Sequence, residues 1–285
     1  MEAAARVQSS QRGVTTSPVR ITVADSDGHT RQLESEWSRP DRSRQGAILY
    51  LHGGAFVFGS PRTYRPLAGR LAADSGLPVL VPAYRLAPEH AFPAAFDDAV
   101  AAYRHLLDLG IPASRIVVAG DSAGGHLAAG LVAHAYGAGL PLPAGVVLLS
   151  PWLDLDCMQA RQADRLQRDP FVSPVAAERL ARLYLGGCDR SDMRLSPLAE
   201  VAGPLPPFLI QAGGREVLGQ DARRLAASLT AAEVECHLQI WPGQIHAFQL
   251  MHRWLPAARA AMRQAADFVV GCVDPETVTA ASALG

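Results

Sequence analysis

Ser122 sits at the centre of Gly120-Asp121-Ser122-Ala123-Gly124, a Gly-x-Ser-x-Gly pentapeptide. A serine hydroxyl is a weak nucleophile at neutral pH, so it needs a base to take its proton and an acid to orient that base. Both kinds of residue follow in the chain, in the order serine, acid, histidine. His246 lies in Trp241-Pro242-Gly243-Gln244-Ile245-His246, directly after an apolar run, and is the candidate base. The acid comes from Gly213-Gly214-Arg215-Glu216-Val217-Leu218-Gly219-Gln220-Asp221. Glu216 falls in the loop just past a strand-like run, where an orienting acid belongs. Asp221 opens a helix, where the helix dipole alone favours an acid, and it stands as the alternative. Such a set performs acyl transfer: attack on a carbonyl carbon, a transient oxyanion and an acyl-enzyme. The oxyanion needs backbone N–H groups. Ala123 supplies one, and Gly53 and Gly54 of His52-Gly53-Gly54-Ala55-Phe56 are the candidates for the others. No step calls for a metal or an organic cofactor.

These residues are useful only if the backbone delivers them to one place. Arg115 to Ala119 is short, β-branched and apolar, as a buried strand should be, and Gly125 to Tyr136 is rich in Ala and Leu at helical spacing. A serine on the sharp turn between them is presented at the top of a sheet. Ala47 to Leu51, Pro78 to Pro82, Gly145 to Ser150, Pro207 to Gln211 and Glu235 to Trp241 read as further strands. Helices are expected over Arg62 to Ser75, Phe92 to Leu109, Asp221 to Ala232 and Trp254 to Cys272. This alternation predicts a mostly parallel sheet with helices on both faces. Val19 to Ala24 and Thr30 to Trp37 form a hairpin turning at Asp27-Gly28. From Pro151 to Leu198 the rhythm breaks into polar, Arg- and Asp-rich helical sequence without a buried strand, as in an inserted cap. The expected division is a 1–45 segment contributing to the cap, a catalytic domain of 46–150 and 199–272, a cap of 151–198, and a 273–285 tail.

A net charge of −1 over 285 residues, with all 26 basic residues Arg and none clustered, gives no reason to expect nucleic acid or an anionic membrane as partner. No stretch reaches membrane-spanning length, and Met1 to Arg6 leads into polar sequence rather than the apolar core of a secretory signal. Cys157, Cys188, Cys236 and Cys272 are widely spaced, fit no metal-ligand pattern and suit a reducing compartment. A cytoplasmic enzyme acting on a small molecule is the expectation.

Taken together, His52 to Phe56, Tyr84-Arg85-Leu86-Ala87-Pro88-Glu89-His90 with Phe92-Pro93-Ala94, Gly120 to Gly125 and Pro242-Gly243-x-x-His246 resemble the hormone-sensitive-lipase-like esterases. The resemblance spans about Ile48 to Phe268. It implies the α/β-hydrolase fold with a small helical cap and cleavage of carboxylic esters of short to medium acyl chains; a homodimer is compatible with it. It also favours Glu216, since one branch of the family uses Glu at that position. Two departures stand out. The oxyanion loop ends in Ala55 where Gly is commoner, adding a methyl beside the substrate, and Glu216-Val217-Leu218 replaces the usual Asp-Pro-Leu. A deacetylase, lactone hydrolase or acyltransferase of specialised metabolism would use the same residues. A non-catalytic receptor on this scaffold would be expected to lack one of them, and all are present. His52 reads as a brace for its loop, His126 as a packed or hydrogen-bonded side chain, Tyr84 to His90 as a bracing turn, and Asp97 and Asp98 as dipole-compatible acids at a helix start. Phe56, Phe58, Trp152, Phe171, Tyr184 and Phe248 divide between pocket and core in a way the sequence leaves open.

Overall fold

The computed structural model describes residues 11–24, 30–166, 168–197 and 203–274. Eight strands form one sheet: β1 (Val14–Ala24), β2 (Thr30–Pro40), β3 (Ala47–Leu51), β4 (Val79–Pro82), β5 (Ile116–Asp121), β6 (Gly145–Leu149), β7 (Phe208–Gly213) and β8 (Cys236–Trp241). Their spatial order is β1-β2-β4-β3-β5-β6-β7-β8. β1 with β2 and β2 with β4 run antiparallel, and every pair from β4 onward is parallel.

The parallel strands are apolar on both faces because both faces are covered. Side chains alternate along a strand. Leu49, Leu51, Val118, Leu148 and Ile210 point into one core, where they meet α2 (Ala94–Asp108), α3 (Ala123–Gly137) and α6 (Gly219–Ala231) through Phe96, Tyr103, Leu127, Leu131 and Leu225. Ile48, Tyr50, Val117, Val147 and Leu209 point into the other, against α1 (Pro61–Ser75) and α7 (Pro256–Val273) through Leu67, Leu71, Met262 and Val269. Each such buried aliphatic side chain contributes about 1.5–3 kcal/mol, which makes this sheet a rigid platform for the loops at its edge. Local signals set the helix ends. Ser60 and Thr63 form a reciprocal capping box ahead of Pro61 in α1, and Gly76 closes that helix in the left-handed region at φ 71°.

Two α-helices, α4 (Met158–Leu166) and α5 (Pro174–Leu185), a short 3-10 turn at Met193–Leu195 and no strand lie between β6 and β7 among the described residues. α5 buries Ala177, Ala181 and Tyr184, and the Tyr184 ring stacks on Phe56 at 3.8 Å between centroids. The insert is thereby seated on the loop after β3.

The N-terminal hairpin is longer than expected: residues 14–24 and 30–40 pair along their whole length as the edge of the sheet, so this part of the 1–45 segment is built into the sheet. The reason is their alternation: Ile21, Val23, Leu33 and Trp37 face the core, while Arg20, Thr22, Gln32 and Glu34 face water. Residues 1–10, the Asp27-Gly28 turn, Leu198 and the tail beyond Asp274 lie outside the described residues.

Candidate active site

Ser122 occupies the turn between β5 and α3 with φ 51° and ψ −119°, a conformation that non-glycine residues rarely adopt. The turn is held from both sides. Ser122 N–H donates to Leu149 O at 3.0 Å, while its own carbonyl accepts from Trp152 N at 3.1 Å and His126 N at 3.2 Å. The strand-to-helix approach is too close for any side chain at Gly124, where an added Cβ would stand 2.0 Å from Leu51 O. This is why the pentapeptide carries glycine there.

The loops after β7 and β8 carry Glu216 and His246, the candidate acid and base. Backbone bonds stitch them together, Gly214 N–H to Trp241 O at 2.7 Å and Arg215 N–H to Gln244 O at 2.9 Å. Ser150, itself in the left-handed region, accepts from Ala247 N at 3.0 Å and so anchors the far side of the histidine loop. The result brings His246 Nδ1 to 3.3 Å from Glu216 Oε2. The Glu216 side chain is fully removed from water, and neither carboxylate oxygen nor Nδ1 has another partner among the described residues. At that separation the contact is an ion-pair approach rather than a well-aligned hydrogen bond, and such contacts tighten when substrate closes a site. Asp221 is elsewhere: its Oδ2 accepts from Leu153 N at 2.7 Å and Asp154 N at 2.9 Å, bracing the chain after β6. Burial pushes its pKa up to about 6 despite those two donors.

The oxyanion loop requires one correction. Gly53, expected as a donor to the oxyanion, has its N–H committed to Asp121 Oδ1 at 2.9 Å and to Tyr64 OH at 3.0 Å. The cause is the buried Asp121 carboxylate, which also accepts from Tyr50 OH and Tyr64 OH, each at 2.9 Å. Burial raises the Asp121 pKa, and the Tyr64, Tyr50 and Gly53 donors oppose that rise. A Cβ on Gly53 would lie 2.2 Å from Asp121 Oδ2, so glycine is needed there to admit the carboxylate. The N–H groups of Gly54, Ala55 and Ala123, by contrast, have no acceptor among the described residues. Ala55 is not among the candidates the sequence offers, because which loop N–H groups stay unpaired is set by the distant Asp121 and Tyr64 side chains.

Ser122, His246, Gly54 and Ala55 line one cavity of about 290 Å3, at the small end of ligand-site volumes. Its walls are Phe58 and Trp152, Phe171, Val172, Ala176 and Leu180 from the insert, and Leu218 and Leu250. The six aromatics therefore divide: Phe58, Trp152 and Phe171 line the cavity, whereas Phe56, Tyr184 and Phe248 are fully buried in the core. His52 stacks on Tyr84 at 4.1 Å, and its Nδ1–H donates to Gly53 O at 2.8 Å; burial drives its pKa down to about 4. His126 is likewise lowered to about 4 by burial, with Nδ1 against Trp152 O at 3.2 Å. Both are neutral braces at working pH. Asp98 is more than a dipole-compatible acid: fully buried, it anchors Arg31 and Arg85 and accepts from Arg85 N at 2.8 Å, which fixes the Tyr84 to His90 turn.

A family model described as an alpha/beta hydrolase fold matches residues 48–250. A protein of Streptomyces hygroscopicus named acetyl-hydrolase is 41% identical over 235 residues, covering 82% of this chain and 79% of that one. A crystal structure of an esterase from the bacterial hormone-sensitive lipase family superposes with a TM-score of 0.86 at 35% identity, covering 95% of this chain and 89% of that one. The chain belongs to the hormone-sensitive-lipase-like esterases. An esterase of Acinetobacter venetianus is a further relative of this esterase, 34% identical over 83% of this chain and 78% of that one. Among the described residues, no helix of the esterase is long and apolar enough to cross a membrane, and no group of His, Cys, Asp and Glu could hold a metal ion.

The electrostatics of the esterase's histidine set a pH dependence. Burial lowers the His246 pKa, but the Glu216 carboxylate that faces it, then the charges of Asp121 and Asp169, outweigh it and leave the imidazole above its ordinary value of 6.5. The neutral form needed by a base is thus populated only at higher pH. The kcat/KM for a neutral ester is expected to rise with pH through one ionisation above 6.5. A stopped pH series with p-nitrophenyl acetate, corrected for spontaneous hydrolysis, measures it; a limb centred below 6.5 would contradict this electrostatic balance.

Proposed function

We propose that the protein is a serine carboxylesterase in which Ser122 attacks the acyl carbon, His246 takes and returns the proton, and Glu216 orients and neutralises the imidazolium. The N–H groups of Gly54, Ala55 and Ala123 hold the oxyanion, and residues 151–198 act as a cap over the substrate. In the first step the Ser122 proton passes to His246 Nε2 as the C–O bond to the enzyme forms. Collapse of the tetrahedral adduct expels the alcohol, which receives that proton; water, activated by the same imidazole, then releases the acid. Hydrolysis of carboxylic esters of small to medium size is the activity of this family, and the observation carrying the residue assignment is the buried Glu216–His246 pair opening onto the cavity that Ser122 lines.

The cavity favours small acyl groups. Its walls are apolar and its volume is about 290 Å3, and the acetyl-hydrolase relative is named for a two-carbon acyl group. Across p-nitrophenyl esters from acetyl to decanoyl, kcat/KM is expected to peak at short chains and to fall by about tenfold or more at decanoyl, since each misfitted methylene is worth about 1 kcal/mol or more. A profile that climbs steadily to decanoyl would show that the acyl chain leaves by another route.

A further inference from the structure

We propose that Asp169 is a positioning residue that ties the insert to the Glu216–His246 pair by clamping the loop that carries Glu216. This inference rests on the assignment of Glu216 as the acid.

Asp169 lies between α4 and α5 and is 8% exposed. One carboxylate oxygen, Oδ1, accepts from Phe171 N at 2.7 Å and Val172 N at 3.0 Å, closing its own turn. The other, Oδ2, reaches across the fold to accept from Val217 N at 2.8 Å. A carboxylate that merely capped its own loop would need only the first two bonds. The third goes to the residue adjoining Glu216, and charge-assisted bonds of this length are the stronger kind. The turn that Asp169 closes also places Phe171 over the base, with ring centroids 6.2 Å apart and planes 30° from parallel. Phe171 and Val172 are cavity wall. One buried carboxylate therefore fixes the substrate-facing wall of the insert and the loop of the acid together.

The groups facing His246 are Glu216 from the loop after β7, Asp121 from the end of β5, Asp169 from the insert and the Phe171 ring. All three charges are negative, so each favours the imidazolium that forms during attack. Asp169 thus acts in two ways, by holding the acid's loop and by adding field at the base.

The test is Asp169→Asn, nearly isosteric, assayed with p-nitrophenyl acetate. An amide can satisfy Phe171 and Val172 or Val217, but it presents an N–H donor to whichever side its nitrogen faces. We expect kcat to fall about tenfold, in line with small displacements of catalytic groups. The acid limb of kcat/KM should move to lower pH by roughly half a unit, because a charge that stabilises the imidazolium is gone. A structural role alone would lower the melting temperature and leave the limb in place. An unmoved limb overturns the proposal, whatever happens to kcat. Should the variant not fold, hydrogen exchange in the wild type decides: the Val217 amide is expected to be protected, and exchange at the rate of a free loop amide overturns the clamp. Glu216→Gln, run alongside, separates the two claims. If it retains full activity, the acid assignment fails; if it is inactive while Asp169→Asn keeps the wild-type limb, only the role of Asp169 fails.

Discussion

Replacing Ser122 with alanine is expected to lower kcat for p-nitrophenyl butyrate by about 10⁴-fold or more, to whatever the oxyanion donors and the cavity achieve without a nucleophile. The fold should tolerate the change. The bonds that hold the turn, to Leu149 O and from Trp152 N and His126 N, belong to the Ser122 backbone and survive in alanine. The unusual φ of 51° is a cost both residues share, since each has a Cβ. Melting temperature should therefore change by less than about 2 °C. Substrate binding, read as protection by a slowly hydrolysed ester, should persist because the walls are untouched. Residual activity near wild type in a preparation free of contaminating esterase would remove Ser122 from the mechanism.

The parts of the site legible in the sequence are those fixed by local structure. A strand, a sharp turn and a helix give Ser122 its place, and loops directly after β7 and β8 give Glu216 and His246 theirs, because chain order maps onto a parallel sheet edge. Contacts between distant segments are what the sequence conceals. Nothing in the pentapeptide marks Asp121 for a role, yet its carboxylate gathers Tyr50 from β3, Tyr64 from α1 and the Gly53 N–H from the loop between them. That convergence commits the Gly53 N–H and leaves those of Gly54 and Ala55 without an acceptor among the described residues. Asp169 lay in the polar, Arg- and Asp-rich helical stretch read as an inserted cap, and only the folded chain brings it to Val217. The edge strands were underestimated for a related reason. The start of β1 is polar at most positions, and its extension to Val14 is set by its pairing with β2 rather than by its own composition.

The choice between the two acids gives the sharpest contrast in phenotype. Glu216→Gln keeps the side chain's shape and removes the charge nearest His246, so the imidazolium formed during attack loses the largest of the three negative charges that favour it. A fall in kcat of about 10²- to 10⁴-fold is expected, with KM little changed, because the lost interaction belongs to the transition state. The surviving activity should show its acid limb at lower pH, since the largest influence raising the His246 pKa has been removed. Asp221→Asn should do the reverse. Its carboxylate receives two backbone N–H groups from Leu153 and Asp154 at the start of the insert, so the variant should lose about 1–3 kcal/mol of stability while its kcat stays within a few-fold of wild type. Stability also carries a sign that can be checked. Because folding raises the Asp221 pKa to about 6, the native state binds this proton more readily than the unfolded one, and its contribution opposes folding as pH rises through 4 to 6. Asn removes that titration, so the stability difference between wild type and variant should depend on pH over that interval, the variant comparing least favourably with the wild type toward its acid end. Urea melts across it would read this directly. Loss of kcat in Asp221→Asn together with wild-type activity in Glu216→Gln would exchange the two roles.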